Sequence, residues 1–199
     1  MVQIASHRDA AVFEEIAAAA RDDHASSNTW SYVVSDPATH TAAIIDPVLD
    51  FDAASGRVGT TSATALLDHV ERNALQVRWL LETHAHADHL SAGRWLKGRL
   101  PDATLAIGVG IREVQARFRP LFNADFAIDG SQFDHLFADG ATFEVGTLAA
   151  RIIAVPGHTP DSIAYLVGDA LFTGDSLFMR HATADSTASQ GRQTSLCGM

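Results

Sequence analysis

The chain has 199 residues, the size of one domain, and 47% of them are apolar, as in a folded protein. Fourteen Lys and Arg, with Lys97 the only lysine, stand against 24 Asp and Glu, and the net charge of −10 leaves no basic face for phosphate, so nucleic acid is not an expected partner. No apolar run approaches the ~18 residues that span a bilayer. Met1–Asp9 carries no basic leader ahead of an apolar core, and the single cysteine, Cys197, excludes an internal disulfide; together these predict a cytoplasmic protein with no membrane partner.

In chain order, Asp9–Arg21 is Ala-rich, with Val12, Phe13 and Ile16 spaced for one helical face, which predicts a helix. Asn28–Val34 and Thr41–Ile45 flank an Asp36-Pro37 turn and read as a β-hairpin, stopped by Asp46-Pro47. The two glycines and several Ser and Thr of Phe51–Thr61 predict a loop. Ser62 is the expected cap of a helix that buries Leu66, Leu67 and Val70. Val77–Leu81 is a short strand entering a histidine-rich stretch. A helix over Ser91–Leu100, a strand over Thr104–Ile107 and a helix over Ile111–Phe118 follow, the alternation of a layered α/β or α+β domain. Beyond Phe133, short strands at Phe143–Val145, Leu148–Val155, Ile163–Val167 and Ala170–Thr173 predict a second sheet. The tail after residue 180, poor in large aliphatics, predicts disorder, which gives one domain over 1–180 and a tail over 181–199.

The chemistry concentrates in Thr83-His84-Ala85-His86-Ala87-Asp88-His89, which holds three of the ten histidines within six residues. In an extended segment alternate side chains share a face, so His84, His86 and Asp88 converge and His89 joins from the next element. Neutral imidazole and carboxylate suit Zn, Fe or Mn. Two later turns at strand ends complete a candidate site, with His158 in Pro156-Gly157-His158-Thr159-Pro160 and Asp175 in Thr173-Gly174-Asp175-Ser176.

His84-x-His86-x-Asp88-His89, Gly157-His158-Thr159 and Gly174-Asp175, in that order, resemble the metallo-β-lactamase superfamily. The resemblance implies an α+β fold, an αββα sandwich with a metal at one edge of two sheets. Asp46-Pro47-Val48-Leu49-Asp50, Leu81-Glu82-Thr83, Asp129–Phe137 and Gly174–Met179 are similar to the persulfide dioxygenases, or glutathione-dependent sulfur dioxygenases. That branch implies one Fe(II) per chain on His84, His158 and Asp175, which are then the catalytic residues. His86, Asp88 and His89 become supporting residues. The implied reaction turns a small thiol persulfide, glutathione persulfide by resemblance, and O2 into sulfite and thiol. A hydrolase of the glyoxalase II type uses the same residues for two Zn(II), on His84, His86, His158 and on Asp88, His89, with Asp175 bridging. It cleaves a glutathione thioester with a metal-activated hydroxide. A third reading is an inactive remnant.

The resemblance ends at Met179, where Arg180–Asp185 replaces the family's continuation and the sequence reads as a truncated C-terminus that leaves the second half of the sandwich incomplete. Ile163, Tyr165, Val167 and Phe172 are then expected to lose their cover, which favours self-association such as a homodimer. The remaining candidates have simpler expectations. His135 is a packing residue, and His7, His24, His40, His69 and His181 are solvated. Trp79 and Trp95 belong to the core, Arg112, Arg117 and Arg119 to a solvated helix face, and Cys197 is no nucleophile.

Overall fold

The computed structural model describes residues 12–17, 30–86 and 89–177, the first of these segments by its backbone. The first half runs β1 (Val12–Ala17), β2 (Trp30–Asp36), β3 (Thr41–Ile45), β4 (Val48–Asp52), β5 (Arg57–Gly59), α1 (Thr61–Arg72) and β6 (Gln76–Leu81). Then come β7 (Leu90–Ser91), α2 (Gly93–Lys97), β8 (Thr104–Gly108), α3 (Ile111–Leu121) and β9 (His135–Phe137). The second sheet follows as β10 (Thr142–Val145), β11 (Leu148–Ala154), β12 (Ile163–Val167) and β13 (Ala170–Phe172), with a 3-10 turn over Gly174–Ser176.

The first sheet has the order β1-β2-β3-β6-β8-β9 and the second β10-β11-β12-β13. β1, β2 and β3 pair antiparallel, whereas β3–β6, β6–β8 and β8–β9 are parallel. Both faces of the first sheet are covered. This explains the unbroken apolar runs Ala42–Ile45 and Leu80–Leu81, which show no polar alternation. One face, with Val34, Ala43, Ile45 and Leu81, meets Ile152, Ile163, Tyr165 and Phe172 of the second sheet. The other, with Val33, Ala42, Ile44 and Leu80, meets Ala63, Leu66 and Val70 of α1 and Leu96 of α2. Ile44 and Ile45 therefore anchor two different layers and are each fully buried, which contributes about 1.5–3 kcal/mol per side chain.

Several expectations need correction. Residues 12–17, within the expected helix over Asp9–Arg21, form strand β1 instead, in full register with β2 from Val12↔Ser35 to Ala17↔Trp30. Six backbone pairings outweigh an Ala-based helix preference worth under about 1 kcal/mol per residue; the rest of that expected helix lies outside the described residues. The expected loop Phe51–Thr61 contains the β4–β5 hairpin, turned by Asp52, whose carboxylate accepts the Ala54 N–H at 3.0 Å. Ser62 lies inside α1 and caps nothing. Its N–H and Oγ–H donate to Asp50 at 3.2 and 2.5 Å, so a carboxylate from β4 serves the helix start. α2 is shorter than the expected Ser91–Leu100 helix. His69 is buried on α1, not solvated. Ile163, Tyr165, Val167 and Phe172 do not lose their cover, because they face the inter-sheet core. His135 packs edge-on against Trp79 and Phe137, as expected. Arg112 and Arg119 are engaged locally, by the Asp129 carbonyl and the Asp125 carboxylate. The tail 181–199 lies outside the described residues. No helix among the described residues is long and apolar enough to cross a membrane.

Candidate metal centre

Three chain segments that leave strands at one edge of the two sheets supply the site. β6 ends at Leu81 and delivers Glu82, Thr83, His84 and His86; β11 ends at Ala154 and leads to His158; β13 ends at Phe172 and leads to Asp175. The segments are tied by backbone bonds. The Asp46 N–H donates to the Leu81 carbonyl at 2.8 Å, and the Ile163 N–H to the Thr83 carbonyl at 2.9 Å. Gly174 takes a left-handed φ of +50° directly over Thr83. A Cβ there would lie 2.9 Å from the Thr83 Cβ, so only glycine lets the Asp175 turn approach this closely.

Asp46 organises the first ligand. It is buried, with a φ of +47° that a non-glycine residue rarely adopts. Its Oδ1 accepts the Thr83 N–H at 2.7 Å and its Oδ2 accepts the Thr83 hydroxyl at 2.8 Å. That hydroxyl proton is thereby used, so the Thr83 oxygen, 2.9 Å from His84 Nδ1, accepts from the imidazole. The proton sits on Nδ1 and the lone pair on Nε2. Burial, and then the charge on His86, push His84 down to about 4, so the ring is neutral at pH 7.

Among the described residues, the buried His84 Nε2 has no hydrogen-bond partner. It lies 3.8 Å from Asp175 Oδ2, which lies 3.6 Å from His158 Nε2. These gaps are too long for hydrogen bonds. They fit two ligands that each sit about 2.0–2.2 Å from one shared ion. The ligand atoms of His84, His158 and Asp175 all lie within 4.8 Å of one another. The His84 side chain is 1% exposed while His158 is 40% and Asp175 27% exposed, so the site is closed behind His84 and open on the other side. An idle buried imidazole nitrogen, a second imidazole and a carboxylate fit a divalent cation.

The His86 ring lies 4.0 Å from that of His84, but its Nε2 is engaged by carboxylates. Its Nε2 lies 3.3 Å from Asp46 Oδ1 and 3.4 Å from Glu82 Oε2, with all three side chains buried. Burial opposes charge on His86, but the two carboxylates outweigh it and raise the imidazole to about 10. Burial pushes Glu82 up, whereas the His86 and Thr83 contacts hold Asp46 below its usual range. Glu82 also takes the Ser91 hydroxyl. His86 does not enter the three-ligand group, although its Nδ1 is buried and, among the described residues, has no hydrogen-bond partner. The His89 ring lies 4.0 Å from that of His86 and joins neither group. Asp88 lies outside the described residues. Of the six sequence-predicted ligands, the structure thus brings together His84, His158 and Asp175.

Sequence reasoning missed the roles of Thr83, Glu82 and Asp46. The signal was local. In the sequence Asp46 ends a strand, and nothing in a linear pattern shows that a strand-ending residue turns its carboxylate toward the segment after β6, the strand next to β3 in the sheet.

The Metallo-beta-lactamase superfamily matches residues 26–192. A beta-lactamase hydrolase-like protein of Agrobacterium fabrum is 52% identical over 154 residues, 76% of this chain and 36% of that protein. Glyoxylase B2 of Dictyostelium discoideum is 43% identical over 77% of this chain and 53% of its own length. The mitochondrial persulfide dioxygenase ETHE1 of Homo sapiens is 30% identical over 77% of this chain and 50% of its own length. The crystal structure of ETHE1 from Myxococcus xanthus superposes with a TM-score of 0.63 at 31% identity, covering 85% of this chain and 59% of that one. The chain spans about a third to a half of the length of these curated relatives. With a match that runs through both sheets and all three ligand segments, the chain belongs to the metallo-beta-lactamase superfamily.

Proposed function

We propose that the chain carries the iron centre of a persulfide dioxygenase and oxidises a small thiol persulfide, glutathione persulfide by resemblance, in the cytoplasm. The observation that carries this reading is the convergence of two imidazoles and one carboxylate within 4.8 Å while the neighbouring His86 is held by Asp46 and Glu82. Two His and one carboxylate on one face, with open positions opposite, is the ligand set of non-haem Fe(II) oxygenases. The similarity to ETHE1 supports the same choice.

His84, His158 and Asp175 would hold the iron, and Fe(II) bound there supplies the electron path between a persulfide sulfur and O2. The reaction balances as RSSH + O2 + H2O → RSH + SO3²⁻ + 2 H⁺. The outer sulfur is oxidised, O2 is reduced, and both protons go to water. His84 contributes a neutral lone pair because its proton is fixed on Nδ1 by Thr83. His158 and Asp175, on the exposed side, leave room for substrate. No side chain needs to act as a general base.

The test is elemental analysis of protein purified without added metal, followed by oxygen-electrode assays with glutathione persulfide. The expected result is about one iron per chain, and one sulfite formed per O2 consumed. The similarity to Glyoxylase B2 favours a second reading, a zinc hydrolase of glutathione thioesters. Two zinc ions per chain with thioester hydrolysis and no O2 uptake would establish that reading in place of the first.

A further inference from the structure

We propose that Asp161 is a positioning residue of the metal centre, locking the loop of His84 to the loop of His158; the proposal rests on the metal-centre reading above. Asp161 lies three residues past His158 and is 3% exposed. Its Oδ2 accepts the Ala85 N–H, the amide between His84 and His86, at 2.9 Å. A side chain rooted in the second ligand loop thus grips the backbone of the first. Two residues further on, the Ile163 N–H donates to the Thr83 carbonyl. These two bonds bracket His84 on both sides.

Asp161 is itself fixed. A Cβ on Gly110, at the start of α3, would lie 2.9 Å from both the Cα and the Cβ of Asp161, so the β8–α3 turn lies directly on it. Asp161 Oδ1 is buried and, among the described residues, accepts no hydrogen bond. Leaving a carboxylate oxygen idle in the interior is costly, and a neutral acceptor would serve for simple loop closure. A charge-assisted bond to the Ala85 amide is about twice as strong as a neutral one. That stiffness matters where His84 and His158 must meet one ion, because residues behind metal ligands typically change affinity 10–100-fold when removed.

The probe is Co(II), titrated into metal-free wild type, Asp161→Ala, Asp161→Asn and Asp161→Glu, and read by its visible d–d bands. Asp161→Ala and Asp161→Glu are expected to bind Co(II) about 10–100-fold more weakly, with shifted bands. The alanine removes the acceptor, and the glutamate keeps the charge but displaces it. Asp161→Asn keeps an oxygen for the Ala85 N–H but not the charge, and is expected to bind more weakly than wild type and more tightly than Asp161→Ala. A folded Asp161→Ala with wild-type affinity and bands overturns the proposal, because a merely structural role would lower Tm and leave both unchanged. Asp161→Asn that binds no more tightly than Asp161→Ala also overturns it, since an acceptor for the Ala85 N–H would then make no difference. If Asp161→Ala does not fold, wild-type affinity in Asp161→Glu overturns it equally. Wild type that binds no Co(II) overturns the metal centre and this proposal with it, which separates that failure from the others.

Discussion

The Thr83 hydroxyl oxygen lies 2.9 Å from His84 Nδ1 and directs the lone pair of that ring to Nε2. The link works because the hydroxyl proton is already committed to Asp46. Thr83→Val keeps the shape and removes the link. The ring can then adopt the other tautomer, with the proton on Nε2 where the ion should bind. Metal affinity is expected to fall about 10–100-fold with little change in far-UV circular dichroism, and Thr83→Ser is expected to restore most of it. Equal affinities in the valine and serine variants would show that the hydroxyl sets nothing.

His86 is the cation between two buried carboxylates. Removing one partner of a buried ionic group costs about 3–5 kcal/mol, because the remaining charges stay in the interior uncompensated. His86→Ala is therefore expected to lower Tm by roughly 6–20 °C in a chain of this size. Adding Glu82→Gln should recover part of that loss, since one of the two stranded carboxylates becomes neutral. The check is a double-mutant cycle by urea unfolding of metal-free protein. Additive effects of the two substitutions would show that they do not interact.

The pattern of ligands was legible because metal chemistry is written in short motifs at strand ends. His84, His158 and Asp175 each follow a β-rich apolar run directly, and the runs themselves are marked by Ile, Val and Leu. What supports those ligands was not legible. Thr83 and Asp46 are 37 residues apart and meet only because β3 and β6 pair in parallel. β1 departs from its local composition for a related reason. Alanine speaks for a helix locally, whereas the edge of β2 that accepts residues 12–17 exists only once the sheet has formed. The inward face of the second sheet was likewise invisible. Alternation along β11 shows that one face is buried but not which body buries it.

Gly174 and Gly140 both have positive φ, +50° and +73°, but only Gly174 has a neighbour where a Cβ would stand. Alanine at either position takes a left-handed conformation at a cost of about 1–2 kcal/mol. At Gly174 it also presses on Thr83 and moves the Asp175 turn. Gly174→Ala is expected to lose metal affinity at least tenfold, and Gly140→Ala to lose only a few degrees of Tm. Isothermal titration with Co(II) on both variants distinguishes them. Undiminished affinity in Gly174→Ala would count against the close packing of the Asp175 turn on Thr83.

Asp36 ties the two sheets together at the end remote in sequence from the ligands. Its Oδ2 accepts the Thr147 N–H at 2.7 Å, the Thr39 hydroxyl at 2.8 Å and the Thr147 hydroxyl at 2.9 Å, and its Oδ1 accepts the Ala38 N–H at 2.9 Å. The β2–β3 turn and the β10–β11 turn are joined through this one carboxylate. The approach requires Gly146, at φ +64°, because a Cβ there would fall on Thr39 and Asp36. The Thr147 amide, with the other donors, lowers the carboxyl to about 2 against the opposing effect of burial. A carboxylate whose pKa is lower folded than unfolded contributes stability above its unfolded value, about 3.9, and loses it as pH falls through about 2. Asp36→Asn is therefore expected to be less stable than wild type at pH 7, with the gap narrowing from about pH 4 and closing near pH 2. Urea midpoints of both proteins, metal-free and measured at pH 7, 4, 3 and 2, check this. A constant gap across that range would mean that the shared donors do not depend on the charge of Asp36.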